Sequence, residues 1–193
     1  MDNIIVIDDF LPNTLSDIVL QESENLSWRP VNDSAGVEKN YDNSDRNIIQ
    51  FPQLTHLVCE NNQPTSDLHP LIMAMIWFFE DKTQITPTGI TRVKFNYIFQ
   101  TNCKETDYAA PHVDNPSDDC VSMIYYLHDA DGQTRFFDKT FSEGYYNLNI
   151  VKEITPKKNT AVIFPSNLFH ASAAPMNYPS RKVINFVLPT TLT

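Results

Sequence analysis

"AAPHVDNPSDDCVSMIYYL", residues 109–127, ends in a run of β-branched and aromatic residues that reads as a core strand, and it carries His112 and Asp114 just ahead of that run. In an extended chain residues i and i+2 share a side, so the spacing presents an imidazole and a carboxylate together, with Val113 turned away. Two metal ligands are thereby set side by side. Taken alone the pair also fits a solvated loop, and its meaning depends on what the rest of the chain brings to it.

Downstream of residue 90 the same texture repeats. "TRVKFNYIF" (91–99), "CVSMIYYL" (120–127), "TRFFD" (134–138), "LNIVKEI" (148–154), "TAVIFP" (160–165) and "RKVINFVL" (181–188) are short β-rich runs separated by Pro, Asn, Asp and Gly. Strands at this spacing favour an antiparallel sandwich or jelly roll, whose two sheets can enclose a pocket. The first 90 residues read differently. Leu15, Ile18, Val19 and Leu26 form one helical stripe with Asn13 or Thr14 as N-cap, and a second helix is predicted from about Ser66 to Glu80, with Leu68, Leu71, Ile72, Met75 and Phe79 on one face. Between them, residues 29–47 are polar and without periodicity, either a disordered loop or a functional flap. The expected fold is α+β and mainly β: one domain over 1–193, with helical support and flap in 1–90 and a jelly-roll core in 91–193.

Composition narrows the function classes. With 14 Lys+Arg against 24 Asp+Glu the net charge is −10, which opposes general binding to nucleic acid or to anionic membranes. The longest apolar run, residues 71–79, is about half of a membrane span. The N-terminal "MDNIIVIDDF" lacks the basic start of a secretory signal, and Cys59, Cys103 and Cys120 lack a CxxC spacing, so a cytoplasmic protein with free thiols is expected. Only four glycines occur, in neither a GxGxxG nor a Walker loop, and there is no GxSxG.

The segment "TAVIFPSNLFHASAAPMNYPSRKVINFVL" (160–188) supplies the partners of HxD. His170 stands among small and apolar residues, and Arg181 opens an apolar strand. A lone His170 would read as a hydrogen-bonded core histidine, but an arginine entering a core strand needs an anionic partner. Two imidazoles and one carboxylate on one face of an octahedral ion leave three positions open, the arrangement of non-haem Fe(II) oxygenases. A 2-oxo acid takes two of them and O₂ the third. The far carboxylate of a dicarboxylate cosubstrate suits a guanidinium fork, which makes Arg181 its partner.

In this order the motifs resemble those of the Fe(II)/2-oxoglutarate-dependent dioxygenases, in their prolyl-4-hydroxylase-like branch, which includes short bacterial and phage members. "HVD" (112–114), "IYYL" (124–127), "DGQTRFF" (131–137), "PKKNTAVIF" (156–164), His170 and Arg181 follow the family's sequence of motifs over roughly residues 90–190, and "IIVIDDFLP" resembles its opening strand and helix entry. The resemblance implies His112, Asp114 and His170 as iron ligands and Arg181 as partner of the 2-oxoglutarate C5 carboxylate. It also implies Tyr126, Tyr97, Thr134 and Asn96 as cosubstrate contacts, and Fe(II), 2-oxoglutarate and O₂ as cofactors, with ascorbate as a stimulant. The stretches "HVDNP" and "IYYL" are similar to prolyl hydroxylases and point to a peptide or small-molecule substrate. His128 replaces an asparagine usual after "YYL" and is expected at the surface. Asn159 replaces the usual turn glycine, a mild change because Asn tolerates the left-handed region. His56 and His69 lie off the pattern and read as structural or surface residues. Three rivals remain open: a jelly-roll binding module with a vestigial or structural metal site, a zinc or manganese hydrolase of cupin type, and an oxygenase acting on a free amino acid or small metabolite.

Overall fold

The computed structural model describes residues 3–31 and 47–191. Most of the predicted flap, residues 32–46, lies outside the described residues. The expected strands form as β5 (Arg92–Phe99), β6 (Cys120–Tyr126), β7 (Thr134–Thr140), β8 (Ile150–Ile154), β9 (Thr160–Pro165) and β11 (Ser180–Pro189). A short strand not anticipated, β10 (Leu168–Ser172), carries His170. The N-terminal part adds more than helices: β1 (Ile5–Ile7), β2 (Arg29–Val31), β3 (Gln53–Glu60) and β4 (Gln63–Pro64). The larger sheet runs β1-β9-β6-β11-β5-β3-β2 with β4 on β3, and the smaller is β10-β7-β8. Every pairing between these strands is antiparallel.

The central strand β11 explains the layering. It is buried over nearly its whole length, so its two faces serve two different interiors. Ile184, Phe186 and Leu188 join Val93, Phe95, Met123 and Tyr125 in the main core, which Val19 of α1 (Asn13–Glu24) and Ile72, Met75 and Phe79 of α2 (His69–Thr83) cover. On the opposite face Val183, Ile124, Tyr126, Val162 and Phe164 meet Phe136 of the smaller sheet, with Leu168 and Ile154 packed alongside. Two sheets closed face to face, helices outside the larger one: the architecture is the predicted jelly roll. No helix among the described residues is long and apolar enough to cross a membrane.

Two local details depart from expectation. Helix α1 has Pro12, not Asn13 or Thr14, at its N-cap position and no side-chain cap; proline presets the entry dihedral, and its carbonyl accepts the first turn's bond from Ser16 N at 3.0 Å. Helix α2 starts at His69 because Pro70 occupies its first turn and Ser66 is engaged elsewhere. Its hydroxyl meets His56 Nε2 at 2.8 Å, while His56 Nδ1 donates to Ser27 O at 3.0 Å, which makes His56 a structural tie.

Asn159 does more than tolerate its turn. It sits at φ 62° and is buried, accepting on Oδ1 from Leu11 N (2.9 Å) and the Tyr125 hydroxyl (3.1 Å) while its Nδ2 donates to Leu11 O (2.8 Å). The amide thus fastens the start of the chain to β9. Asn159→Gly keeps the backbone but strips the partners from buried Leu11, and is expected to cost about 2–4 kcal/mol. Urea unfolding at fixed pH measures it.

Candidate active site

His112 and Asp114 do not sit on a strand; they lie in the irregular segment between β5 and β6. Their shared direction comes instead from an isolated bridge in which His112 N donates to His170 O and His170 N to His112 O, both at 2.9 Å. This bridge lays the two imidazoles side by side with centroids 4.5 Å apart. Asp114 N donates to Ser166 O at 2.9 Å, and Val113 packs away from the site in a separate cluster with Tyr108 and Phe137. Candidate ligand atoms of His112, Asp114 and His170 all fall within 4.8 Å of one another.

The protonation states suit a metal. Each histidine turns Nδ1 to the carbonyl two residues back, Ala110 O at 3.3 Å and Leu168 O at 3.0 Å, so Nδ1 carries the proton and Nε2 keeps its lone pair. Burial, and then the neighbouring His170, push His112 down to about 3. Asp114 is opposed by its own burial, but the adjacent His170, His112 and Arg92 hold it below the usual carboxylate range. Its Oδ1 accepts from Arg92 at 3.0 Å, and its Oδ2 accepts from Ser122 Oγ at 2.7 Å and Asn185 Nδ2 at 2.9 Å. A carboxylate gripped by three donors cannot swing, so its ligand oxygen is set before any ion arrives.

Arg181 lies along the same inner face, buried at 3% exposure. Its Nε donates to Gly132 O and its Nη2 to Thr134 Oγ1, both at 2.8 Å, and its guanidinium stands 5.7 Å from the Tyr126 ring centre. The Tyr126 hydroxyl shares a 2.7 Å hydrogen bond with Thr134. All these acceptors are neutral, and no carboxylate among the described residues pairs with Arg181. Gly132 has to be glycine here, because a Cβ would lie 2.5 Å from Ala173 O. A pocket joins Arg181 and Thr134 to the three candidate ligands, with Asn96, Lys94 and Asn185 in its wall.

Tyr97 is a correction. It stands on the other face of β5, where it packs against Trp28 at 5.5 Å and Phe99 at 4.5 Å, with the Lys182 ammonium 5.0 Å from its ring. Strand alternation forbids Asn96 and Tyr97 from both facing the pocket, and Asn96 is the one that does. His128 is half-buried rather than at the surface, with Nε2 3.3 Å from Ser180 Oγ. Arg92, Ser122 and Asn185, the holders of Asp114, went unread. The polar alternation of Arg92, Lys94 and Asn96 in a β-rich run was the available signal of a wet inner face.

Comparison with known proteins agrees with this geometry. Residues 98–188 match the 2OG-Fe(II) oxygenase superfamily. No curated protein matches the chain. Among solved structures, a prolyl hydroxylase from Trichoplax adhaerens, in complex with a hypoxia inducible factor peptide fragment, aligns at 19% identity and TM-score 0.59 over 98% of this chain and 84% of that one. HygX from Streptomyces hygroscopicus, solved with nickel and 2-oxoglutarate bound, aligns at 11% identity and TM-score 0.63 over 98% and 84%. A Pseudomonas putida prolyl-4-hydroxylase aligns at 16% and 0.54 over 97% and 92%. At these identities the likeness is one of fold. The matched segment contains all three candidate ligands and Arg181. The residues fit the implied groups: a His-Asp-His donor set with its ligand atoms within 4.8 Å of one another for the metal, and a buried guanidinium that lacks an anion for the keto acid.

Proposed function

We propose that the chain hydroxylates a C–H bond of an organic substrate, with His112, Asp114 and His170 holding Fe(II) and Arg181 gripping the C5 carboxylate of 2-oxoglutarate. The observation that carries this reading is the buried Arg181, whose hydrogen bonds all go to neutral oxygens. A structural ion would have no use for such a residue; a dicarboxylate would. When bound, iron and 2-oxoglutarate supply the oxidation, one atom of O₂ entering succinate as CO₂ leaves and the other entering the substrate. The chain's own residues do the positioning. Thr134 and Tyr126 hold the guanidinium in place, Ser122, Asn185 and Arg92 hold Asp114, and Phe136 and Phe164 wall His170 with ring centres at 6.2 and 4.8 Å.

The acceptor in this reading is a prolyl or similar residue of an extended peptide, and a cytoplasmic site of action fits the three unpaired cysteines. Support comes from "HVDNP" and "IYYL" and from a fold shared with a prolyl hydroxylase that holds a peptide. Small substrates have a precedent in the same fold, since HygX has been solved with hygromycin B. Product mass decides between them. A gain of one oxygen on proline-containing peptides, dependent on Fe(II) and 2-oxoglutarate, is expected; an unmodified peptide panel beside an oxidised free metabolite would overturn the peptide acceptor.

A further inference from the structure

The inner face of β5 carries Arg92, Lys94, Asn96 and Ile98, and two of these four have no task in the site as described. Arg92 is engaged by Asp114. Asn96 is fixed by its neighbours: its Oδ1 accepts from Gln53 Nε2 at 3.1 Å and from Thr55 Oγ1 at 3.4 Å, which leaves the Nδ2 donor to meet the pocket. Lys94 lines the same pocket, and no hydrogen bond or ion pair joins its ammonium to any described residue. Burial and the nearby Arg92 bring Lys94 down to about 8, with Asp114 a partial offset. Retaining a desolvated, unpaired ammonium costs stability, and such a group has its use when an anion arrives.

The cosubstrate does not supply that anion. In the reading above its C5 carboxylate goes to Arg181 and its C1 carboxylate to the metal. Along the paired strands Arg181 lies opposite Ile98, while Lys94 lies opposite Asn185, the holder of Asp114. Lys94 is therefore at the metal end, four residues along the sheet from the Arg181 end. A divalent metal and a dianionic keto acid cancel in charge, as do Asp114 and Arg92, so the loaded pocket stays positive.

We infer that Lys94 and Asn96 form a second anion subsite, which takes a carboxylate of the primary substrate and holds it beside the metal. The inference rests on Arg181 serving the cosubstrate, and it makes the substrate an acid: a small free acid, or a peptide with a carboxylate next to the reacting residue.

The test is calorimetric binding to protein loaded with Mn(II) and N-oxalylglycine, a pair that does not turn over. Three matched pairs are the probes: N-acetyl-L-proline and N-acetyl-L-prolinamide, N-acetyl-L-leucine and its amide, and acetyl-Pro-Asp-amide and acetyl-Pro-Asn-amide. At least one acid is expected to bind tenfold or more tighter than its amide. Lys94→Met should erase that preference while Mn(II) and N-oxalylglycine affinities stay within twofold. The first two pairs report a free acid, the third an acidic side chain. Lys94→Met should also raise the thermal midpoint of the metal-free protein, since it replaces an unpaired ammonium with an apolar chain of similar length; a structural lysine would lower it. Lys94→Gln serves as a second variant. Equal binding of acids and amides, including no binding of either, overturns the subsite, and so does a loss of Mn(II) or N-oxalylglycine affinity in Lys94→Met. Acid preference without oxygen added to any proline would leave the subsite standing and remove the prolyl acceptor.

Discussion

His112→Ala, Asp114→Asn and His170→Ala are each expected to abolish succinate formation, a loss of more than about 100-fold, because removing a direct ligand exceeds the 10–100-fold effect of disturbing a ligand's outer partners. The fold should survive in all three. The bridge that joins the two histidine segments is made by backbone atoms and does not need the side chains. Asp114→Asn keeps the shape that Ser122 and Asn185 surround and removes the charge, which isolates the electrostatic part. Fe(II) affinity, measured anaerobically, should fall together with turnover. Substantial turnover in any one variant would take that residue out of the ligand set.

His112 adds a pH signature to the same experiment. Its folded value, about 3, lies below the ordinary 6.5, so between those values the unfolded chain binds a proton that the folded chain refuses. Stability of the metal-free protein is therefore fully present above about pH 6.5 and is lost as pH falls toward 3. His112→Ala should flatten that slope in urea titrations at stepped pH. An unchanged slope would mean that the ring finds a proton partner in the folded state.

What the chain disclosed on reading, and what it withheld, divides along sequence distance. Strands β5, β6, β7, β9 and β11 were legible because each is a run of β-formers bounded by turn residues, and the ligands were legible because their types and order suit one chemistry. Strand β10 was missed: "LFHAS" has no β-branched residue, and its pairing with β7 and with the His112 segment is tertiary. Strand β3, "QLTHLVCE", mixes polar residues into both faces, since one face meets the core and the other the pocket wall. The grip on Asp114 comes from residues 92, 122 and 185, which nothing local connects. Tyr97 was a different failure. The run "TRVKFNYIF" itself displays the alternation that separates Tyr97 from Asn96, with Val93 and Phe95 on the helix side and Lys94 and Asn96 on the pocket side.

Arg181→Ala is expected to weaken 2-oxoglutarate by about 2–5 kcal/mol, the cost of leaving a buried carboxylate without its partner, while Fe(II) binding changes little. The anaerobic charge-transfer band of the Fe(II) complex, titrated with 2-oxoglutarate, measures the first, and metal titration without the keto acid measures the second. Arg181→Lys should recover only part of the loss. An ammonium keeps the charge but cannot hold Gly132 O and Thr134 Oγ1 at 2.8 Å each while presenting a planar edge to the ligand. Stability of the empty protein is a control with its own direction: the guanidinium is buried among neutral acceptors and burial already lowers its pKa, so its removal should cost the fold far less than it costs the ligand. Lys182 is no substitute, since it points to the outer face and pairs with Glu24 at 2.6 Å. Lys94 is the remaining cation of the pocket wall. If 2-oxoglutarate affinity survives Arg181→Ala and collapses in Lys94→Met, the two residues exchange roles: the cosubstrate would then lie along β5, and the unpaired guanidinium at Thr134 would be the group that waits for the substrate's carboxylate.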